Sequence, residues 1–308
     1  MADELEPPAF VRERPPGAPA PSEPVDDRAR RQLPPRRPPP GPPRGSETLA
    51  RIVWAVPWIA VVVAVVAVGG IVFAIAMVAF GCIGLAELFR MARDYRPFQA
   101  VAMVVVAGMV AAAYFEDQDQ VILALAAGFP LMFLATATRE SLDGILRSLA
   151  LTTFGMVWIG LPFAYAVLLR ELPVHGGALL IDVLVATFVA DTAAYAGGRL
   201  FGRHLLAPTL SPNKTVEGLV FGIVGGTMGF WFAGLYQDWL PGLDALLMGL
   251  AVAIMAPVGD LFESMVKRDL GAKDSGNVLG PHGGLLDRVD AALFTILPGY
   301  YLAIAFGF

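Results

Sequence analysis

Apolar runs of about twenty residues, separated by short polar breaks, fill the chain from about residue 52 onward. A helix needs roughly 20 mostly apolar residues to cross the hydrocarbon core of a bilayer. The pattern predicts nine such helices, at about 52–69, 70–88, 98–114, 121–137, 148–169, 177–199, 217–236, 243–263 and 289–307. Only Gly69-Gly70 separates the first two, which predicts a tight helical hairpin. The polar breaks "AYFEDQDQV" and "YQDWLPG" separate the third run from the fourth and the seventh from the eighth. The expected fold is an all-α polytopic membrane protein whose termini lie on opposite sides.

Lysine and arginine accumulate on the cytoplasmic side of membrane proteins. With the N-terminus cytoplasmic and the C-terminus outside, 21 of the 22 basic residues fall inside and only Arg170 falls outside. A misplaced span in the middle would scramble that sorting. Glu116, Asp117 and Asp119 then lie outside, as acidic loops can.

Composition agrees with the pattern. The chain is 56% hydrophobic and 16% charged, with a mean hydropathy of +0.63, whereas soluble domains carry about a quarter charged residues. The net charge of −5 says little, because charge is sorted by position. A single cysteine, Cys82, excludes an intramolecular disulfide and a cysteine-based metal site. Residues 1–50 differ in kind. Fourteen of the 25 prolines fall in the first 44 positions among Arg, Asp and Glu. Such a segment cannot bury enough apolar surface to offset its ordering entropy, so it is expected to be a disordered cytoplasmic tail. The start "MADELEPPAF" has no apolar h-region of the secretory type. The expected domains are this tail and a transmembrane catalytic domain over 51–308.

Charges inside apolar runs are costly, about 2.5–3.5 kcal/mol each on insertion scales, and are candidates for function. Asp182 lies near the outer end of its run and is expected to reach the headgroups. Asp191 lies deeper and shares a face with Thr187 and Tyr195, as a buried polar cluster would. Glu87 closes the second run beside Arg90, with the spacing of an ordinary i,i+3 pair. Asp260 heads a helical stripe with Ser264 and then Lys267 or Arg268. Across the following loop, Asp287 and Asp290 open the last helix, where the helix dipole tolerates carboxylates. Three carboxylates thus converge from two helix ends. Hard oxygen ligands suit Mg²⁺, and Lys267, Arg268, Lys273 and Arg288 around them favour a metal–polyphosphate over a bare metal. The loop "GGRLFGRHLLAPTLSPNKTVEG" adds Arg199, Arg203 and Lys214. Its Ser211-Pro212 and Lys214-Thr215 suggest a turn capping a helix near Glu217, with N–H groups free for an anion.

Both loops resemble a known family. The stretch "SMVKRDLGAKDSGNVLGPHGGLLDRVD" (264–290) is similar to the signature of the phosphatidate cytidylyltransferases: Ser-x-apolar-Lys-Arg, Lys-Asp, His-Gly-Gly, then Asp-Arg-x-Asp. The stretch "DTAAYAGGRLFGRHLLAPTLSPNKTVEG" (191–218) resembles a second block of that family. Two departures are visible: Gly280-Pro281 inverts the usual Pro-Gly, and Ala291 stands where Ser is common.

The resemblance implies that the phosphate of phosphatidate attacks the α-phosphate of CTP, giving CDP-diacylglycerol and pyrophosphate. By that similarity Asp260 and Asp287 hold Mg²⁺, with a second cation such as K⁺, and Asp290 and Ser264 support the centre. Lys267, Arg268, Lys273, Lys214 and Arg288 neutralise phosphate. Asp274, Ser211 and Asp191 join the substrate site, and His282, Gly283 and Gly284 shape the loop at the nucleotide, with N–H groups able to approach phosphate. It further implies a bacterial plasma membrane, a cytoplasmic active site and, by family likeness alone, a homodimer; no nucleic-acid partner is expected. Two other readings compete. A CTP-dependent lipid kinase would transfer the γ-phosphate. An anionic-lipid transporter would more naturally show broken helices and an inverted repeat.

Overall fold

The structure is a computed structural model that describes residues 60–276 and 283–308. The proline-rich tail, the opening of the first predicted span, His282 and the Gly280-Pro281 inversion lie outside the described residues. Each predicted apolar run coincides with a helix where it is described. These are α1 (through 60–68), α2 (Gly70–Met91), α3 (Gln99–Phe115), α4 (Gln118–Thr136), α5 (Ile145–Arg170), α6 (Gly176–Phe201), α7 (Val216–Gly234), α8 (Gly242–Asp269) and α9 (Leu286–Phe306). Among the described residues, seven helices of 19 to 28 residues are long and apolar enough to cross a bilayer. α3 is shorter at 17 residues, and α1 is described only in part. The chain is therefore an all-α polytopic membrane protein. Its helices carry apolar residues on every face, and the outward ones suit lipid. On α4, Phe129, Phe133 and Leu134 are well exposed.

Two ends of the bundle can be told apart. The C-terminal ends of α2, α6 and α8 meet the N-terminal ends of α7 and α9 at one end. The α1–α2 turn, the end of α5 and the α7–α8 loop occupy the other. There Gly69 has φ +65°, and an added Cβ would fall on the Arg170 guanidinium. Arg170 Nε donates to the Val66 carbonyl at 2.7 Å, and Glu171 Oε1 accepts from Gly70 N–H at 3.0 Å. The hairpin expected at Gly69-Gly70 is thus clamped by α5, and Val62 and Phe80 line one small apolar cavity. Asp182 also belongs to this end, but it does not reach outward: it is buried, 4% exposed, and accepts from Gln237 Nε2 at 3.3 Å. The expectation failed because the loop after α7 folds over it.

Small residues set the closest packing. Gly218, Gly222 and Gly226 recur every four residues along α7 and face Ala190, Ala194 and Gly198 of α6. An added Cβ would approach those backbones or side chains to 2.8–3.2 Å. Such small-residue seams let membrane helices approach closely. Gly259 does the same for α8 and α9, where a Cβ would meet the Asp290 carbonyl at 2.5 Å. A buried hydrogen bond from Thr187 to Thr295, 2.9 Å, joins α6 to α9. Within α5, Met156–Gly160 form a π turn, an extra residue accommodated where Gly155 and Gly160 press on Phe89 and Met109.

One helix boundary differs from expectation. α8 continues to Asp269 rather than ending near 263. Lys267 and Arg268 in its last turn suit the negative end of the helix dipole, and Gly271, at φ +68°, follows it. The 199–216 loop forms an antiparallel ribbon of β1 (Leu205–Ala207) and β2 (Ser211–Thr215), and α7 starts at Val216.

From the basic-residue sorting, the end where α8 terminates is expected to face the cytoplasm. In a Cys82→Ala background, single cysteines at Thr209 and Glu140 should resist an impermeant thiol reagent in intact cells. Those at Gln118 and Asp238, all four positions being exposed, should react. Labelling at 209 but not at 118 would invert the orientation.

Candidate functional site

Helices α6, α7, α8 and α9, with β2, enclose an open cavity of about 540 Å³ at the end where α8 terminates. The glycine seam brings Asp191 of α6 beside the start of α7, and Gly259 brings Asp260 beside Asp290. Asp191, Asp260, Glu263, Asp287 and Asp290 line the cavity together with Arg199, Lys214 and Lys267. Five carboxylates thus face three cations.

The charges are paired across elements. Lys214 Nζ, on β2, meets Asp260 Oδ2 at 2.5 Å. Lys267 Nζ lies between Glu263 Oε2 at 2.6 Å and Asp287 Oδ1 at 2.7 Å. Both of its partners are buried or nearly so, where Coulomb attraction exceeds that of surface pairs. Glu263 Oε1 is buried without a hydrogen-bond partner. Asp290 and Asp260 repel each other, and Asp191 repels both. Arg199 donates to the Tyr195 hydroxyl at 2.9 Å near the mouth.

Asp287 is the most heavily bonded of these groups. Its Oδ2 accepts from Gly284 N–H at 2.8 Å, Ser275 N–H at 3.0 Å and Ser275 Oγ at 3.0 Å. Behind it, fully buried Glu87 of α2 accepts from Leu285 N–H and Leu286 N–H, each at 2.9 Å, and from Ser275 Oγ at 3.2 Å. Glu87 is therefore not the surface partner of Arg90 that its spacing suggested.

The cavity gathers Asp191, Lys214, Asp260, Lys267, Asp287 and Asp290 from the residues singled out in the sequence. Ser264 and Arg268 do not line it. The stripe that α8 presents to the cavity is Asp260, Glu263 and Lys267, at i, i+3 and i+7. Ser211, Lys273, Asp274 and Arg288 lie outside the lining too, as do Gly283 and Gly284. Three of the amides expected to meet phosphate are used internally. Gly284 N–H serves Asp287, Gly218 N–H serves Thr215 Oγ1 at 3.1 Å, and Val216 N–H serves the His204 carbonyl at 2.9 Å. Glu263 was missed, although it adjoins Ser264 and was within reach of a helical-wheel argument. Glu87 was singled out as a charge in an apolar run but read as the partner of Arg90, since nothing local marks its distant partners.

Mg²⁺ commonly binds through one or two carboxylates plus substrate phosphates. No three metal-ligating side chains form a ready cage among the described residues. The donors nevertheless fit such a cation: all are hard oxygens, they outnumber the lysines and arginine, and one Glu263 oxygen lacks a partner.

Comparison with known sequences agrees with this arrangement. The cytidylyltransferase family profile matches residues 49–306. A Bacillus subtilis protein named phosphatidate cytidylyltransferase is 31% identical over 250 residues, covering 78% of this chain and 91% of its own length. A Mycobacterium leprae protein of the same name is 36% identical over 161 residues, 51% of each chain. An uncharacterized Escherichia coli protein, YnbB, is 38% identical over 177 residues, 55% of this chain and 59% of its own. The matched region spans only about half the length of the mycobacterial relative. A profile match across nearly the whole membrane domain, with a charged cavity where its last helices meet, places this chain in the cytidylyltransferase family.

Proposed function

We propose that the chain is a phosphatidate cytidylyltransferase, converting CTP and phosphatidate to CDP-diacylglycerol and pyrophosphate at the cytoplasmic face of a bacterial plasma membrane. The observation that carries this is the placement of Lys214 of β2 and Lys267 of α8, two cations from separate elements, in the lining of one carboxylate-rich cavity. Two phosphate-bearing substrates repel each other, so charge neutralisation and in-line placement supply most of the catalysis. A cavity with excess carboxylate would repel a triphosphate unless cations accompany it.

Asp260 and Asp287 would hold Mg²⁺, with a monovalent cation such as K⁺ beside it; the bound metal supplies Lewis acidity at the reacting phosphoryl oxygen. The protein's own part follows from the pairing. Lys214 and Lys267 are held in place by carboxylates before substrate arrives, so they need only turn from Asp260 and Asp287 to phosphate. Arg199 stands at the mouth to meet the nucleotide. A phosphatidate oxygen then bonds to the α-phosphorus of CTP as the bond to the β-phosphate breaks. No general base is required, because a phosphate monoester is already largely ionised at neutral pH. Lipid reaches the site laterally from the bilayer and nucleotide from the water. A homodimer is part of the proposal on family likeness alone.

Position-specific label decides the reaction. With CTP radiolabelled at the α-phosphate, label should enter lipid, while γ-label should leave as pyrophosphate. The γ-label in lipid with CDP in water would make the protein a lipid kinase.

Site variants should sort by position. Asp260→Asn and Asp287→Asn should each lose about 10²–10³ in rate, the usual loss for a transition-state electrostatic contact. Wild-type activity should require Mg²⁺ and stop with chelator. Asp182→Asn, at the far end of the bundle, should stay near wild type. An essential Asp182 beside a dispensable Asp287 would put the site in the wrong place.

A further inference from the structure

We propose that Glu87 is a positioning residue: α2 supplies it to fix Asp287 and the first turn of α9 in their working geometry. The inference rests on the assignment of Asp287 to the reaction.

The first amides of a helix have no partners within it. α9 begins at Leu286 after Leu285, which has no side chain able to cap it. The amides of the N-cap residue and of the first helical residue are instead received by one carboxylate from a helix almost two hundred residues away: Leu285 by Oε1 and Leu286 by Oε2. Glu87 is fully buried and accepts from two backbone amides and a hydroxyl. The positive end of α9 thus supplies its electrostatic compensation.

The loop is shaped around this carboxylate. A Cβ on Gly284 would lie 2.6 Å from both Glu87 oxygens, and one on Gly276 would lie 2.8 Å from Oε1. Glycine at 284, which the signature pattern includes, therefore permits backbone to close on Glu87 and needs no nucleotide to explain it. Ser275 links the two acids. Its single hydroxyl proton faces Glu87 Oε2 at 3.2 Å and Asp287 Oδ2 at 3.0 Å, while its amide donates to Asp287. Glu87 accordingly controls Asp287 by two routes, through the amides that set the start of α9 and through Ser275. Glutamine cannot replace it, because an amide NH₂ would face a backbone N–H where the second oxygen now accepts.

The test uses the purified full-length chain in lipid nanodiscs. Glu87→Gln should lower kcat by roughly 10²-fold, the scale seen when remote changes misplace reacting groups, with a smaller change in KM for CTP. In an Asp287→Asn background the same substitution should cost no more than about twofold, since coupled residues are non-additive. Ser275→Ala should show the same non-additivity with Asp287→Asn, and it decides the matter if Glu87→Gln does not fold. Deuterium uptake over 284–290 should rise in Glu87→Gln while that over α6 and α7 stays unchanged. This arm needs no turnover, so it reports on Glu87 even if the wild type proves not to be a cytidylyltransferase. Equal fold-losses in both backgrounds, wild-type kcat in Glu87→Gln, or unchanged uptake at the start of α9 would each overturn the proposal.

Discussion

The Lys267 ammonium, held between Glu263 one turn back on α8 and Asp287 on α9, is the contact on which the functional end of the bundle depends. Breaking a buried ion pair strands a charge and is strongly destabilising, by about 3–5 kcal/mol. Each member of the triad therefore holds the others. α8 and α9 are fixed by Gly259 along their lengths and by this triad at their ends. The cavity wall is thereby built from groups that compensate one another until substrate competes for them.

The same constraint explains why the charged cavity sits at one end only. Elsewhere in the bundle several buried polar groups are neutral and pair with one another, as in the Thr187–Thr295 bond and the 2.6 Å contact between the Tyr165 and Tyr301 hydroxyls. At the opposite end Arg170 spends its donors on backbone carbonyls of the α1–α2 turn. Charge is admitted at two levels, and the end where α8 terminates holds the cavity of about 540 Å³.

The helices were legible in the sequence because membrane insertion is governed by local hydropathy, which needs no knowledge of neighbours. Asp260, Asp287 and Lys214 were legible from charge placement and from the signature spacing. Glu263 was obscured because i+3 and i+4 both fall on the face of Asp260, and the i+4 residue, Ser264, was taken for the stripe. Glu87 was visible as a charge in an apolar run, but its role was not: its partners are two backbone amides at the start of α9 and one serine, all far away in sequence, and amides carry no residue identity to match. The same blindness produced the expectation that the amides of Gly284 and Val216 were available to anions. Whether an N–H is free is a property of the assembled packing.

The π turn in α5 bears on something other than local geometry. Each residue advances a helix by about 100°, so the extra residue within Met156–Gly160 sets the phase between the two halves of α5. The inner half presents Gly155 to Leu85 and Phe89, and the outer half carries Arg170 to Val66. A regular helix could satisfy one of those contacts but not both. The irregular turn is thus a phase shifter, and shortening the chain there by one residue would disconnect the two ends of the bundle while leaving α5 no less helical.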